Sequence, residues 1–271
     1  MGASDVLDLV AAKKAKGEPF ALATVVRTVA ATAAKAGAKA IISLDGSISE
    51  GWIGGGCARA AVLKAAKDAL ADGQARLVSV QPPDVLQEHG VNAGDEHEGV
   101  RYASNFCPSR GTMDIFVEPV LPPAEIVVCG SSAVAVAVAE LGRRVGYTIT
   151  VCVPVAEQRA FAAADQRIDR YALPPREAGQ RFIVVATQGR GDEAALTAAL
   201  VAGADYVAFV GSRKKAEVLK AKLADRGVAP DRLARLKSPA GLDLGAITPD
   251  EIALSILAEI VALRRRGQRA G

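Results

Sequence analysis

Residues 125–135 read EIVVCGSSAVA, an apolar segment that runs through a glycine turn into a stretch of small residues. From here to about residue 266, apolar segments of strand length alternate with segments of helical spacing. Repeated β-α units of this length are typical of a parallel sheet covered by helices on both faces. The sequence therefore predicts a Rossmann-like parallel-sheet domain over residues 122–271.

The chain before residue 122 has a different pattern, separated from the rest by prolines at positions 119, 122 and 123. Lys39–Leu44 and Ser47–Trp52 flank Asp45-Gly46, a dipeptide that supplies the positive φ angles of a two-residue hairpin turn. Strand segments here are mixed with only two clear helical segments. We predict an N-terminal α+β domain over residues 1–121 and an α/β class for the whole chain.

Three further structural predictions concern less regular segments. Residues 29–37 are alanine-rich but lie between two closely spaced strands, which favours a loop. Residues 81–99 are polar and rich in turn residues, so a surface loop is expected to carry His89 and His97, both exposed to solvent. A helix is expected over about residues 155–164.

Composition excludes several classes of function. The chain has 271 residues, 50% of them hydrophobic, and a net charge of +3, which is too small to indicate nucleic-acid binding. Its apolar runs are interrupted before the roughly 18 residues that a membrane span needs. The four cysteines are widely spaced, without a CxxC motif or an N-terminal leader pattern, so we expect reduced thiols in the cytoplasm and no structural zinc.

The most distinctive turn of the N-terminal domain is Gly54-Gly55-Gly56-Cys57, followed by a strongly helical segment. Three glycines allow a sharp bend or the close approach of a ligand to the backbone. The thiol falls at a helix N-terminus, where free N–H groups and the helix dipole favour a thiolate. The spacing fits a ligand or nucleophile and a small buried residue equally well.

The other three cysteines divide into two kinds. Cys107 follows Asn105 in a turn rich in proline, serine and glycine, where packing gives no reason for a thiol. Cys129 and Cys152 lie within apolar strand segments and are predicted to belong to the core. Cys107 is therefore the second candidate functional thiol.

The first β-α turn of the second domain departs from the dinucleotide-binding fingerprint. Ser132 replaces the middle glycine of G-x-G-x-x-A, and Val151–Pro154, at the end of the next strand, offers no acid for a ribose hydroxyl. Both departures argue against ordinary NAD binding. An anion site remains open, because Gly130, Ser131 and Ser132 precede a helix, and Gly211-Ser212-Arg213 forms a second such turn with cations beside it.

These segments resemble the XdhC/CoxI family over nearly the whole chain. The resemblance rests on Ala23–Thr28, Gly37–Lys39, Gly54–Cys57, Gly211–Lys215 and Gly241–Ala253, which occur in the family's order. The last segment is the most specific. The turn around Cys107 is similar to that of the shorter members associated with carbon monoxide dehydrogenase.

The resemblance implies a maturation chaperone rather than an enzyme. Family members serve molybdenum hydroxylases such as xanthine dehydrogenase and carbon monoxide dehydrogenase: they bind the molybdenum cofactor, as molybdopterin or its cytosine dinucleotide, support its sulfuration by a cysteine desulfurase, and pass it to the apo-hydroxylase. Departures lie in the second domain, where family members often have G-A-G-H-x-A at the Gly130 turn, Asp in place of Val153 and an Asp/His pair after Thr187.

On this resemblance, Cys57 and Cys107 are expected to contact the metal or dithiolene end of the cofactor, since thiolates suit soft centres. Backbone amides of Gly54–Gly56, Gly130–Ser132 or Gly211–Arg213 are expected to hold the anionic end, with Arg110 as a further contact. Copper bound by the same two thiols is an alternative cargo.

Two rival functions remain open, the first from the residues and the second from the resemblance. One is an NAD(P)-dependent oxidoreductase, and the other is a cofactor-free scaffold that docks a cysteine desulfurase to the hydroxylase. The alanine-rich surface favours a homodimer.

Overall fold

The computed structural model describes residues 3–108, 110–176 and 179–265. The chain divides into two compact units, Met1–Pro122 and Pro123–Gly271, each with its own hydrophobic core.

The described part of the first unit is built from a mixed sheet with helices. Its helices are α1 (Ala3–Ala15), α2 (Gly56–Asp72) and α3 (Pro83–Glu88). Its strands are β1 (Phe20–Val29), β2 (Lys39–Ser43), β3 (Ile48–Gly51), β4 (Arg76–Gln81), β5 (Glu96–His97), β6 (Val100–Ser104) and β7 (Thr112–Val120).

The seven strands form one sheet in the order β3-β2-β1-β7-β4-β6-β5, in which only β4 and β6 are paired in parallel. Helix α2 packs across one face of this sheet. Its buried side includes Ala58, Val62, Ala65, Ala66 and Ala69, and these mostly small side chains let the helix axis lie close to the strands. The start of α2 is thereby fixed against β7.

The predictions for this unit are confirmed except in one segment. Strands β2 and β3 form the expected hairpin, and residues 30–37 contain no helix. Residues 81–99 are not simply a loop, because α3 occupies Pro83–Glu88 and β5 pairs with β6. Pro83 is the first residue of α3, a position where its fixed φ suits a helix and its missing N–H costs nothing.

The second unit alternates strands and helices. Its helices are α4 (Ala133–Arg144), α5 (Asp192–Val201), α6 (Arg213–Asp225), α7 (Pro230–Ala234) and α8 (Pro249–Arg264), with a 3₁₀ helix at Val155–Ala160. Its strands are β8 (Glu125–Cys129), β9 (Thr148–Val153), β10 (Gln166–Asp169), β11 (Arg181–Val185), β12 (Tyr206–Phe209) and β13 (Leu236–Lys237).

All six strands are parallel and follow the order β10-β9-β8-β11-β12-β13. In chain order this is 3-2-1-4-5-6, the strand order of the Rossmann fold. Buried residues of α4 and α8 form one core cluster with the sheet, and those of α5 and α6 form another. The predicted fold class is confirmed.

Two buried polar features bear on the stability of this unit. Arg181 Nε lies 2.6 Å from Glu125 Oε2, and both side chains are largely buried. The Tyr147 hydroxyl is buried and has no hydrogen-bond partner among the described residues. Removing one partner of the Arg181–Glu125 pair should destabilise the unit, because it leaves a buried charge unpaired. Removing the Tyr147 hydroxyl should stabilise the unit, because it removes a buried polar group that makes no hydrogen bond.

The segment after β9 differs from the prediction. Instead of a helix over residues 155–164, the chain forms a 3₁₀ helix at Val155–Ala160 and then the edge strand β10. Pro154 precedes the 3₁₀ helix, which ends at Ala160, well before β10 begins. Strand β10 has mainly exposed, polar residues, so its sequence lacks the apolar run that identifies interior strands.

Across the described residues, no helix combines the length and apolar character needed to cross a membrane.

Candidate functional site

The glycine turn places Cys57 at the start of α2. Helix α2 begins at Gly56, with Gly55 as its N-cap, and no side chain caps its first turn. Gly54 and Gly56 have φ angles of +102° and +56°, whereas Gly55 is extended. The positive φ values explain glycine at positions 54 and 56, and the half-buried thiol of Cys57 lies where the helix dipole favours negative charge.

The loop carrying Cys107 is shaped by Asn105. The Asn105 carboxamide accepts a hydrogen bond from the Cys107 N–H at 3.0 Å and donates one to the Gly111 carbonyl at 2.6 Å. A Cβ on Gly111 would lie 2.3 Å from the Ala31 carbonyl oxygen, so only glycine permits this approach. The turn is thus held at both ends, with the Cys107 side chain exposed.

Both predicted thiols line one cavity of about 280 Å³. Met113, on β7, lines the same cavity and brings a thioether to it. The cavity also has Gly55 and Gly56 in its wall. Three sulfur-bearing side chains from two separate parts of the sequence therefore line one space, a donor set suited to soft metals or sulfur-rich ligands.

A second, larger cavity of about 540 Å³ adjoins the same thiol. Cys57 and Phe106 belong to the walls of both cavities, and Phe106 is 74% exposed. Tyr102 adds a second aromatic ring and Lys64 a cation. The cysteine thus lies at the boundary between a sulfur-lined space and a larger space with aromatic walls.

The cations of the larger cavity differ in their partners. Arg101 is paired with Asp68 at 2.7 Å and Glu96 at 3.4 Å. Lys64 is exposed and has no ion pair with any described residue. Lys64 is consequently the cation of this wall most available to an anionic ligand.

Arg110, predicted as a cofactor contact, lies outside both cavity walls. Its guanidinium is paired with the Asp84 carboxylate in the first turn of α3. Its own φ angle is +51°, and its backbone N–H is bonded to the Cys107 carbonyl at 3.0 Å. The structure assigns Arg110 a part in shaping the Cys107 loop, and its charge is already compensated.

The Gly130 turn of the second unit has little free hydrogen-bonding capacity. Ser132 is the N-cap of α4, and its side chain accepts the Ala135 N–H. The Ser131 hydroxyl donates to the carboxylate of Glu157. A carboxylate already adjoins this helix N-terminus, which disfavours a bound phosphate.

Glu157 is an acidic residue beside this turn that the sequence analysis missed. It lies four residues beyond Val153, on the 3₁₀ helix that carries it back to the Gly130 turn. Glu157 is the first acidic residue after β9, and this is the sequence feature that could have identified it. It was missed because the acid was sought at the end of the strand itself.

The segment after Thr187 forms a closed ionic cluster. Asp192 accepts hydrogen bonds from the Thr187 hydroxyl and the Gly189 N–H, and its carboxylate lies 2.5 Å from Lys215 Nζ. Burial raises the pKa of Asp192, but Lys215, Thr187 and the Gly189 N–H together outweigh it and leave the pKa below its ordinary value. Asp192 is therefore an ionised structural group linking the starts of α5 and α6.

The Gly211-Ser212-Arg213 turn begins α6. Ser212 is the N-cap and accepts the Lys215 N–H at 3.3 Å. Gly211 and Arg213 line a cavity of about 480 Å³ within the second unit. This turn therefore brings an exposed cation, Arg213, to the wall of a cavity.

The remaining cysteines and histidines match expectation. Cys129 and Cys152 face each other on neighbouring strands and are fully buried. Hydrogen bonding to Cys152 and burial raise the pKa of the Cys129 thiol, which keeps it protonated and unreactive. His89 and His97 are both exposed.

Among the described residues, no three histidine, cysteine or acidic side chains are grouped closely enough to hold a metal ion. Any soft metal held beside Cys57 and Cys107 would need the Met113 thioether or ligands of its own.

Comparison with known proteins matches two family models to this chain. Residues 126–260 match the model described as the XdhC Rossmann domain, and residues 14–81 match that of the XdhC and CoxI family. Together the two models cover parts of both structural units.

Curated proteins and solved structures are also similar to the chain. The uncharacterized protein YqeB of Escherichia coli K12 is 28% identical over 261 residues, which cover 91% of this chain and 44% of that protein. A protein of Bacillus subtilis 168, named as a probable subunit of xanthine dehydrogenase, is 26% identical over 167 residues, covering 57% of this chain and 47% of the relative. The chain thus spans less than half the length of each of these relatives.

One solved structure is described as a xanthine dehydrogenase from Bacillus halodurans. It is 18% identical, with a TM-score of 0.46, and the alignment covers 100% of this chain and 98% of that one.

Proposed function

The chain belongs to the XdhC and CoxI family, and on that premise we propose that it is a non-catalytic maturation factor of a molybdenum hydroxylase. In this proposal it carries the molybdenum cofactor beside Cys57 and delivers it to the apo-hydroxylase. The Bacillus subtilis relative, by its name a probable xanthine dehydrogenase component, supports the class of client. The observation that carries the cargo assignment is the cavity shared by Cys57, Cys107 and Met113.

The sulfur-lined cavity suits the soft end of the cargo. Thiolates and thioethers prefer soft metals and sulfur-rich centres, and the bare backbone at Gly55 and Gly56 leaves room for a ligand against the start of α2. In the proposal, Cys57 and Cys107 contact the metal or dithiolene end. Met113 completes the soft wall.

The larger cavity suits the organic part of the same cargo. Its volume, about 540 Å³, lies within the range of small-molecule sites, whereas about 280 Å³ on the other side of Cys57 is smaller than that range. Tyr102 and Phe106 offer planar apolar surfaces to a pterin ring. We assign the anionic end to Lys64, which has no ion pair among the described residues.

A Cu(I) ion is a second cargo consistent with the same residues. Two thiols and one thioether form a ligand set that selects Cu(I) over harder metals. The proposed partners are the apo-hydroxylase and a cysteine desulfurase that supplies sulfur to the bound cofactor.

Cofactor retention tests the proposal. Wild type and the Cys57→Ala, Cys107→Ala and Cys129→Ala variants are mixed with molybdenum cofactor released from a donor enzyme, and then desalted. Molybdenum and oxidised pterin are measured in each protein fraction. We expect retention to fall in the first two variants and to stay at the wild-type level in Cys129→Ala, whose sulfur is buried in the other unit. Unchanged stoichiometry in both Cys57→Ala and Cys107→Ala would refute the assignment.

The same preparations discriminate the scaffold function. A wild-type protein that retains no cofactor but still increases activation of an apo-hydroxylase in the presence of a desulfurase is a docking scaffold, and the carrier proposal fails.

A further inference from the structure

A cavity of about 480 Å³ in the second unit has no role in the proposed function. It lies beyond the carboxyl end of β12, where the wall is formed by the turn after β12, Lys237 at the end of β13, the loop after β13 and two residues of α8. The dinucleotide crevice of a Rossmann fold lies elsewhere, at the switch point between β8 and β11. The cavity is therefore distinct from the usual site of this fold.

The wall of this cavity is held rigidly by α8. Gly241 has a φ of +91°, and a Cβ there would lie 2.3 Å from Ser255 Oγ, so the loop rests directly on the helix. The Gly241 N–H donates to Glu259 Oε2 at 2.9 Å, and the Leu242 N–H donates to the Ser255 carbonyl at 3.2 Å. The loop is preformed rather than assembled by a ligand.

Glu259 anchors this arrangement and is itself fully engaged. It also accepts the Tyr206 hydroxyl at 2.5 Å and pairs with Lys237 Nζ at 3.1 Å. Burial and the Glu259 carboxylate raise the pKa of Tyr206, so its hydroxyl remains a donor. Lys237 is consequently neutralised, although it lines the cavity.

Of the two cations that line this cavity, Arg213 is the one without an ion pair among the described residues. It is exposed, it lines the cavity, and no described residue pairs with it. The first turn of α6 contains three cations and no acid, whereas α5 and α8 begin with two acids each. Cations at a helix N-terminus are unfavourable because this end of the helix dipole is itself positive. An anion in the adjoining cavity would offset both the side-chain charge and the positive end of the dipole.

The remaining wall is largely apolar, with the Asp243 carboxylate and the Ser255 hydroxyl as its polar side-chain groups. Leu242, Leu244 and Ile252 supply the apolar surface, and Leu242 and Leu244 are exposed although they are large and hydrophobic. Asp243 contributes an acceptor between the two leucines. One cation, one acceptor and an apolar wall match the three parts of a nucleotide: phosphate, ribose hydroxyls and base.

We propose that this cavity binds a nucleoside monophosphate. Arg213 contacts the phosphate, Asp243 accepts hydrogen bonds from the ribose hydroxyls, and Leu242 and Leu244 cover the base. The cavity volume lies within the range of small-molecule sites. This inference does not depend on the cofactor cargo, because no residue of the first unit enters it.

Calorimetric titration of the full chain with AMP, CMP, GMP, UMP and inorganic phosphate tests the proposal. We expect at least one nucleotide to bind with a dissociation constant below about 1 mM and more tightly than phosphate. Arg213→Ala should weaken that binding about tenfold, since it removes a charge-assisted contact. Lys214→Ala is the matched control, because it removes the neighbouring cation, which does not line the cavity.

Asp243→Ala separates a nucleotide site from a simple anion site. Loss of the ribose contact should weaken nucleotide binding, whereas a site that reads only negative charge should bind more tightly once the carboxylate is removed. Absence of nucleotide binding, equal losses in Arg213→Ala and Lys214→Ala, or tighter binding by Asp243→Ala each overturn the proposal. The Cys57→Ala protein should bind the nucleotide as wild type does, so this test and the cofactor test can fail independently.

Discussion

The glycine turn before Cys57 offers a sharp test of how the site is built. Gly54, Gly55 and Gly56 are adjacent in sequence but differ in backbone conformation: the first and third have positive φ, and the second does not. A Cβ would meet no atom within 4 Å at either Gly55 or Gly56. Gly55→Ala and Gly56→Ala therefore differ in backbone strain, without a difference in crowding.

The expected magnitudes follow from that geometry. Alanine at Gly56 incurs roughly 1–2 kcal/mol of left-handed strain, reduced by the about 0.4–1 kcal/mol that a less flexible unfolded chain contributes. The net loss is about 1 kcal/mol. At Gly55 alanine restricts the unfolded chain in the same way, which is stabilising, but alanine is a poorer N-cap than glycine, which is destabilising. The free energy of unfolding should therefore change by no more than about 0.5 kcal/mol.

Urea unfolding followed by the fluorescence of Trp52, the only tryptophan, measures this difference within the first unit. With a denaturant slope of about 2 kcal/mol/M, Gly56→Ala should lower the midpoint by roughly 0.5 M, and Gly55→Ala should leave it nearly unchanged. Equal midpoints for the two variants would show that the turn does not have the conformation described, and the placement of Cys57 would lose its basis.

Three further predictions concern the second unit. Tyr147→Phe should raise the free energy of unfolding by about 1 kcal/mol, because it removes a buried donor without a partner among the described residues. Tyr206→Phe should lower it by roughly 1.5–3 kcal/mol, because it removes a hydrogen bond to the Glu259 carboxylate. Thermal unfolding of both variants checks that the two changes have opposite signs. Arg181→Met should cost about 3–5 kcal/mol by leaving a buried carboxylate unpaired. The more exposed pair between Arg143 and Asp165, removed by Arg143→Ala, should cost less than about 1 kcal/mol. Urea unfolding of both variants followed by far-UV circular dichroism compares the two losses, and equal losses would contradict the burial argument. The folded pKa of Asp192 lies below its unfolded value of about 3.9, so its stabilising effect is complete above about pH 5 and declines as the pH falls through the folded pKa. The stability difference between wild type and Asp192→Asn should shrink over that range, and a constant difference would contradict the shift.

The parts of the fold that the sequence predicts are those determined by local pattern. The alternation after residue 125 predicts the parallel sheet, Asp45-Gly46 predicts the β2–β3 hairpin, and the glycines before Cys57 predict the start of α2. Strand β10 escapes prediction because an exposed edge strand lacks an apolar run. The spacing of apolar residues identifies a strand or helix through its buried face, so it cannot identify an element whose side chains are mostly exposed.

The candidate site is less accessible to sequence reasoning because distant segments build it. Cys57 and Cys107 can be singled out by their unusual turns, but Met113 is indistinguishable from a core residue until β7 places it beside them. Phe106 and Tyr102 likewise read as ordinary aromatic residues. Glu157 reaches the Gly130 turn through a 3₁₀ helix that the local pattern does not predict.

The central claim is that Cys57 touches the bound cargo, and ligand protection of its thiol measures this most directly. The protein is treated with iodoacetamide with and without bound molybdenum cofactor, and alkylation of each cysteine is followed by peptide mass spectrometry. Cys57 and Cys107 should be alkylated in the free protein and protected in the loaded protein, while buried Cys129 should stay unmodified in both. Equal alkylation of Cys57 in the free and loaded protein would contradict the account.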